Sequence, residues 1–196
     1  MNFISQILFI MVSAVMLTLL GGQSNTSTPT VKSNINISSN TSDTNETIPD
    51  IPLNLEIPSI GVNAKIEQVG LTKEGAVSVP KGPSTTGWFN LGSKPGELGS
   101  SVIDGHYGPW QDGSNSVFDN ISKLKLGDKI YVRDKKGQVF VFTVIDKKTY
   151  EPNAIVPEIF NKNDDRYLNL ITCSGDWLAK EQTYNKRLVI FAKADK

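Results

Sequence analysis

Beyond residue 50 the chain is dominated by short apolar stretches, several of them alternating polar and apolar positions. A period of two marks a strand with its two faces in different surroundings. The clearest case is residues 166–173. There Leu168, Leu170 and Thr172 fall on one face, and Asn169, Ile171 and Cys173 on the other. The Ser-Gly-Asp that follows reads as a turn ending that strand. Further strands are predicted at 54–57, stopped by Pro58, and at 64–69, 76–79 and 101–103. Two more, at 129–133 and 138–145, flank Asp134-Lys135-Lys136-Gly137, a hairpin signal, and a last one covers 187–192. Helical periodicity is confined to 117–124 and 153–160. Many short strands, Gly/Pro turns and few helices predict an all-β domain, either a closed barrel or a sandwich.

The N-terminal part has a different pattern. Residues 3–20 are nearly all apolar, which predicts an export or membrane segment of about the shortest length that spans a bilayer. No basic n-region and no small-residue cleavage site accompany it, so an uncleaved anchor over residues 1–22 is expected, with a signal peptide as the alternative. Residues 23–51 are dominated by Ser, Thr and Asn. Such a composition cannot bury enough apolar surface to offset ordering entropy, and it predicts a disordered tether. Residues 52–196 then form one domain, large enough for its own core. This organisation places the protein at the cell membrane with the folded domain outside the cell.

Charge and chemistry narrow the function. The chain has 20 basic and 20 acidic residues, and this balance excludes the basic face that nucleic-acid binding needs. It contains one cysteine and one histidine, so no intramolecular disulfide forms. Neither a second thiol nor a second imidazole is present to build a Cys/His metal site, and no metal or other cofactor is expected. Cys173 sits at the end of a strand and His106 follows Gly105 at the end of another. An imidazole activates a thiol by taking its proton or by pairing with the thiolate. Arg187 opens the last apolar strand, where a permanently charged fork of donors suits a carbonyl or an oxyanion. Lys186 beside it is the competing cation.

His106, Leu170-Ile171-Thr172-Cys173 and Arg187 in Lys-Arg-Leu-Val-Ile-Phe-Ala, separated by 67 and then 14 residues, resemble the sortases, bacterial surface cysteine transpeptidases. The resemblance runs from about residue 53 to 193. It includes Ile57-Pro58-Ser59-Ile60-Gly61-Val62-Asn63-Ala64, Gly87-Trp88-Phe89, Pro95-Gly96-Glu97-Leu98-Gly99 and Leu126-Gly127-Asp128, and these segments are most similar to the class F branch. Asn169 departs from the family's usual Thr-Leu-x-Thr-Cys. The resemblance implies a closed eight-stranded β-barrel with a few short helices. It implies cleavage of an LPxTG-like sorting signal between Thr and Gly by Cys173, with His106 as acid and then base and Arg187 holding the oxyanion. The acyl group then passes to an amine. The implied partners are surface proteins with a C-terminal sorting signal and a peptidoglycan precursor or cell-wall amine. The implied substrate contacts are Thr172 and the segment carrying Ile155, Val156, Pro157 and Ile159, for which core packing is an equal reading.

Two other functions fit parts of the same pattern. A cysteine hydrolase of surface peptides would use water in place of the amine. A non-catalytic wall-binding module would keep Cys173 buried and inert.

Overall fold

A computed structural model describes residues 48–110 and 112–196. The anchor and all but the last few residues of the tether lie outside these residues. Among the described residues no helix is long and apolar enough to cross a membrane.

Eight strands follow in order: β1 (Pro52–Ile57), β2 (Val62–Val69), β3 (Thr86–Phe89), β4 (Gly99–Gly105), β5 (Lys129–Asp134), β6 (Val139–Tyr150), β7 (Arg166–Leu178) and β8 (Thr183–Ala194). They close into a barrel in the order β1-β2-β3-β4-β7-β8-β6-β5. Both expected helices are single 3-10 turns, Ile121–Lys123 and Pro157–Ile159. The apolar periodicity there is real, but each segment docks one or two side chains on the barrel and is too short to propagate an α-helix.

Two pairings are parallel, β2 with β3 and β4 with β7, and the rest are antiparallel. A parallel pair needs a long crossover. The chain supplies one in residues 70–85 and another in everything between β4 and β7. Along β7 the alternation holds. Leu168 and Leu170 point into the barrel with Leu55, Ile103, Ile130, Phe142 and Ile190. Ile171 faces outward with Val102, Val189 and Phe191, under a cover of loop residues that includes Val77 and Ile159. The outer face of β4, β7 and β8 is therefore a roofed second core, and this explains why β4 is buried on both faces.

Three expectations are corrected. Ser174-Gly175-Asp176 does not end β7. The strand runs on to Leu178 through an irregularity between Ser174 and Trp177, with Gly175 at φ +81°. The turn residues make a bulge that bends the strand, and β7 and β8 extend past the barrel as a hairpin. Residues 76–79 form only an isolated bridge, Leu71 to Val77. Thr86–Phe89 is a strand that its short, Gly-containing sequence hides. Gly87 is required there, since a Cβ would lie 2.6 Å from Asp104 Oδ1. The Asp134–Gly137 hairpin is as expected: Asp134 Oδ1 accepts from the backbone N–H of Lys136 and Gln138, and Gly137 takes φ +82°.

Leu170 is fully buried at the centre of the inner core. Leu170→Ala should cost about 2–5 kcal/mol of unfolding free energy by chemical denaturation. A loss below 1 kcal/mol would show that this position does not carry the barrel's packing.

Candidate active site

The register of three strands assembles the site. Cys173 on β7 lies directly across from Arg187 on β8. Asp104 of β4 pairs with Ile171 of β7, two residues before Cys173. His106 follows the end of β4 by one residue, so the period of two carries it to the outer face level with Cys173. Thr172, between Ile171 and Cys173, turns the other way. Its Oγ1 donates a 2.7 Å hydrogen bond to the Gly105 carbonyl, one residue before His106. That bond is fully internal and ties the two strand ends together.

Each side chain has a defined environment. Cys173 is 8 % exposed, at the edge of burial and access. Arg187 is 1 % exposed, and the hairpin extension holds it. Its Nη1 donates to the carbonyls of Tyr184 and Lys186 at 2.9 and 2.8 Å, and its Nη2 to Thr183 Oγ1 at 3.2 Å. These partners are all neutral, so the positive charge is fixed and not cancelled. Arg187 Nε is buried and, among the described residues, has no hydrogen-bond partner. Lys186, the competing cation, is partly exposed and ion-paired with Glu151.

His106 Nε2 lies 2.8 Å from the Pro80 carbonyl, which only accepts, so Nε2 carries a proton and Nδ1 is the basic nitrogen of the neutral ring. Trp110 packs edge-on against the ring at 4.7 Å. Burial lowers the His106 pKa from its ordinary value. The Pro80 hydrogen bond and the charge of Glu67 oppose that shift.

The structure separates the other expected substrate residues. Thr172 does not face the cleft, because its hydroxyl is spent on Gly105. Ile159 is fully buried in the outer core, where it packs instead of lining a groove. Val156 packs against the same cluster. Ile155, 61 % exposed, and Pro157 point to solvent beside it.

Four residues that the sequence pattern did not single out complete the site. Pro80, Thr183 and Tyr184 act through backbone carbonyls or a short hydroxyl, and no residue-type pattern reveals such contacts. The Tyr184 ring also stacks edge-on against Tyr107 at 5.1 Å and Trp177 at 5.2 Å. Its phenol pKa is pushed up by burial, with Tyr107, Cys173 and Asp119 adding to the shift. The fourth is Asp104, whose two oxygens are both buried without a partner. An Asp inside the apolar run Val102-Ile103-Asp104 was a visible signal, since Asp is depleted in strands. Burial raises its pKa well above the ordinary value of 3.8. Its own backbone N–H opposes this and Glu67 reinforces it, so the folded protein holds this proton to higher pH than the unfolded chain does.

A closed barrel that brings a thiol from within β7, a guanidinium from β8 and an imidazole just past the end of β4 to one face fits a cysteine acyl-transfer class of protein. A family model described as a sortase domain matches residues 55–195, and the chain belongs to the sortase family. It is a transpeptidase of the cell surface, with an extracellular catalytic domain, acting on surface proteins with sorting signals and on cell-wall amine acceptors. Among solved structures it is similar to sortase C2 of Group B Streptococcus pilus island 1 (25 % identity, TM-score 0.57, 74 % of this chain and 73 % of that one). A Clostridium perfringens sortase D5 transpeptidase matches at 24 % identity and TM-score 0.55, over 75 % of this chain and 80 % of that one. Sortase A of Corynebacterium diphtheriae shares the fold at 20 % identity and TM-score 0.58, over 76 % of this chain and 62 % of that one. No curated protein sequence matches the chain.

Asp104 generates a stability prediction. In the unfolded chain its carboxyl ionises near its ordinary value of 3.8, while the folded state keeps the proton. Above that pH the native state binds more protons, so this group destabilises the fold increasingly as pH rises. Asp104→Asn should therefore raise the melting temperature at pH 7 and leave it little changed near pH 3. An equal effect at both pH values would show that the carboxyl is ionised in the fold.

Proposed function

We propose that Cys173 is the nucleophile, His106 the proton-transfer group and Arg187 the oxyanion support of a transpeptidase that cleaves an LPxTG-like signal between Thr and Gly. The observation that carries this reading is the Cys173–Arg187 cross-strand pair, with His106 brought level by the Thr172–Gly105 bond.

The Cys173 sulfur attacks the Thr carbonyl, and the tetrahedral oxyanion develops beside a cation whose Nε–H is a buried, unspent donor. His106, held by Pro80 through Nε2, exchanges protons through Nδ1. It takes the Cys173 thiol proton as the sulfur attacks, gives it to the departing Gly amine, takes one from the incoming amine, and returns it to the released thiolate. The thioester conserves acyl-transfer potential until that amine arrives. Ile155 and Pro157, exposed on the segment that roofs the outer core, are the candidates for contact with the apolar start of the signal, with Val156 behind them. The class F reading rests on the 95–99 and 126–128 segments. The anchor over residues 1–22 and the tether over 23–51 rest on their composition.

Three measurements test these assignments. Cys173→Ala should abolish the acyl-enzyme seen by mass spectrometry. His106→Ala should slow turnover by roughly 10²- to 10⁴-fold. Arg187→Ala should slow it on the order of 10²-fold or more, with little rescue by Arg187→Lys, which lacks the fork. Near-normal rates for Arg187→Ala with a large loss at Lys186→Ala would reassign the cation. Because burial lowers the His106 pKa, the acid limb of the rate profile should fall below pH 6.5 and vanish in His106→Ala. A motif peptide library offered with mixed amines should yield Cys173-dependent ligation products. Cleavage with no ligation to any amine would leave a hydrolase. Membrane fractionation with N-terminal sequencing tests the anchor, and a mature chain beginning near Gly22 in the medium would make residues 1–21 a signal peptide.

A further inference from the structure

A cavity of about 440 Å³ opens beside the catalytic row, and the chemistry above does not use it. Its lining includes Tyr107, Lys147, Thr149, Ser174 and Lys186. Tyr107 and Ser174 directly follow His106 and Cys173, and Ser174 pairs with Lys186 one step along from the Cys173–Arg187 pair. The period of two turns Ser174 and Lys186 to the face opposite Cys173, above Leu188 of the inner core, so the cavity sits at the rim of the barrel.

Its lining supplies several donors, two lysines among them, and no carboxylate of its own. Lys147 Nζ donates to the Ser122 and Leu124 carbonyls at 2.6 and 3.1 Å, which fixes the ammonium without neutralising it and leaves a third donor. Lys186 is paired with Glu151, an exposed carboxylate outside the lining, and such surface pairs exchange readily. Ser174 Oγ is buried and has no hydrogen-bond partner in the protein. A positive pocket with an unspent hydroxyl fits a carboxylate.

We propose that this rim cavity binds the carboxylate of the amine acceptor and so makes the enzyme selective for acceptors that carry one near the nucleophilic nitrogen. The inference rests on the transfer reading above. The acyl donor occupies the outer face over β4 and β7, so the second substrate must approach from the side left open, and the rim adjoins both His106 and Cys173. With its carboxylate held by Lys147, Lys186 and Ser174, the acceptor presents its amine at the strand ends. The nitrogen attacks the thioester carbonyl, a C–N bond forms, the C–S bond breaks to release the Cys173 thiolate, and the amine's proton passes to His106.

The test compares acceptors that differ only in that charge. The full-length protein is acylated with a sorting peptide and offered glycine or glycinamide, and D-alanine or D-alaninamide, at fixed ionic strength. The acceptor KM should be about tenfold lower for the carboxylate of each pair, the scale of one charge-assisted hydrogen bond. Lys147→Gln should bring the two KM values within about twofold, with the rate of acyl-enzyme formation unchanged. Lys136→Gln, at the far end of β6, removes the same net charge and should leave the preference intact. If Lys147→Gln does not fold, Lys186→Gln serves as the second variant. Equal KM values within every pair in the wild type, or a preference that survives both cavity variants, overturns the inference and leaves the transpeptidase standing. Acyl-enzyme that only hydrolyses overturns both readings, and absence of an acyl-enzyme overturns the assignment of Cys173.

Discussion

The hydrogen bond from Thr172 to the Gly105 carbonyl is the constraint on which the site depends. β4 and β7 are separated by 60 residues of chain, from Gly105 to Arg166, and their parallel pairing brings them together only along the barrel wall. The last register pair between them is Asp104 with Ile171. Beyond it the ladder ends, and without another link the ends of β4 and β7 would splay with the twist of the sheet. The threonine hydroxyl extends the pairing by one step, buried and fully satisfied. A buried bond of this kind contributes more by fixing geometry than by its net free energy, which is only about 1 kcal/mol. It also accounts for the residue before the thiol, since a neighbour turned inward holds Cys173 outward.

Charge is handled in three different ways within this small volume. Arg187 is nearly fully buried, and carbonyl dipoles and a hydroxyl satisfy two of its nitrogens, with no carboxylate paired to it among the described residues. Asp104, one row away, has no such partners, so burial leaves it protonated. Were it ionised there, its negative charge would oppose the oxyanion that we propose Arg187 holds. Kept neutral, this buried acid lies near the Arg187 guanidinium without offsetting its charge. His106 lies between these cases, neutral by burial yet oriented by one carbonyl.

Much of the barrel was legible because β1, β2, β5 and β7 show period-two alternation, because β6 and β8 stand out as short apolar runs between polar stretches, and because Asp134–Gly137 carries a turn signal with a mechanism. What was missed follows a rule. β3 is four residues long, contains a glycine and is buried on every position, so it has neither the length nor the alternation that marks a strand. The extension of β7 past Cys173 was hidden because Ser-Gly-Asp serves a bulge as well as a turn. Residue type and order in the sequence single out Cys173, His106 and Arg187, and the strand register brings these three to one face. The partners that hold Arg187 and His106 were not legible, because they are mostly main-chain carbonyls of Pro80, Tyr184 and Lys186. Ile159 illustrates the converse case, since an apolar residue next to a site is indistinguishable in sequence from one that lines it.

The contact between Pro80 and His106 links the long crossover to the proton chemistry. Residues 70–85 are required by topology, because a parallel β2–β3 pair cannot be closed by a tight turn. The crossover packs Val77 and Val79 onto the outer core, and its Pro80 carbonyl reaches His106 Nε2. A carbonyl is a weaker orienting group than a carboxylate and does not stabilise an imidazolium strongly. The ring is thus held in one tautomer; the Pro80 hydrogen bond raises its basicity, but burial outweighs that and lowers it overall. A histidine of this kind passes protons readily to a leaving amine and binds them loosely between steps. This suits a reaction in which the same ring must serve as acid in the first half and as base in the second. The loop that makes parallel pairing possible also sets the tautomer in which His106 works.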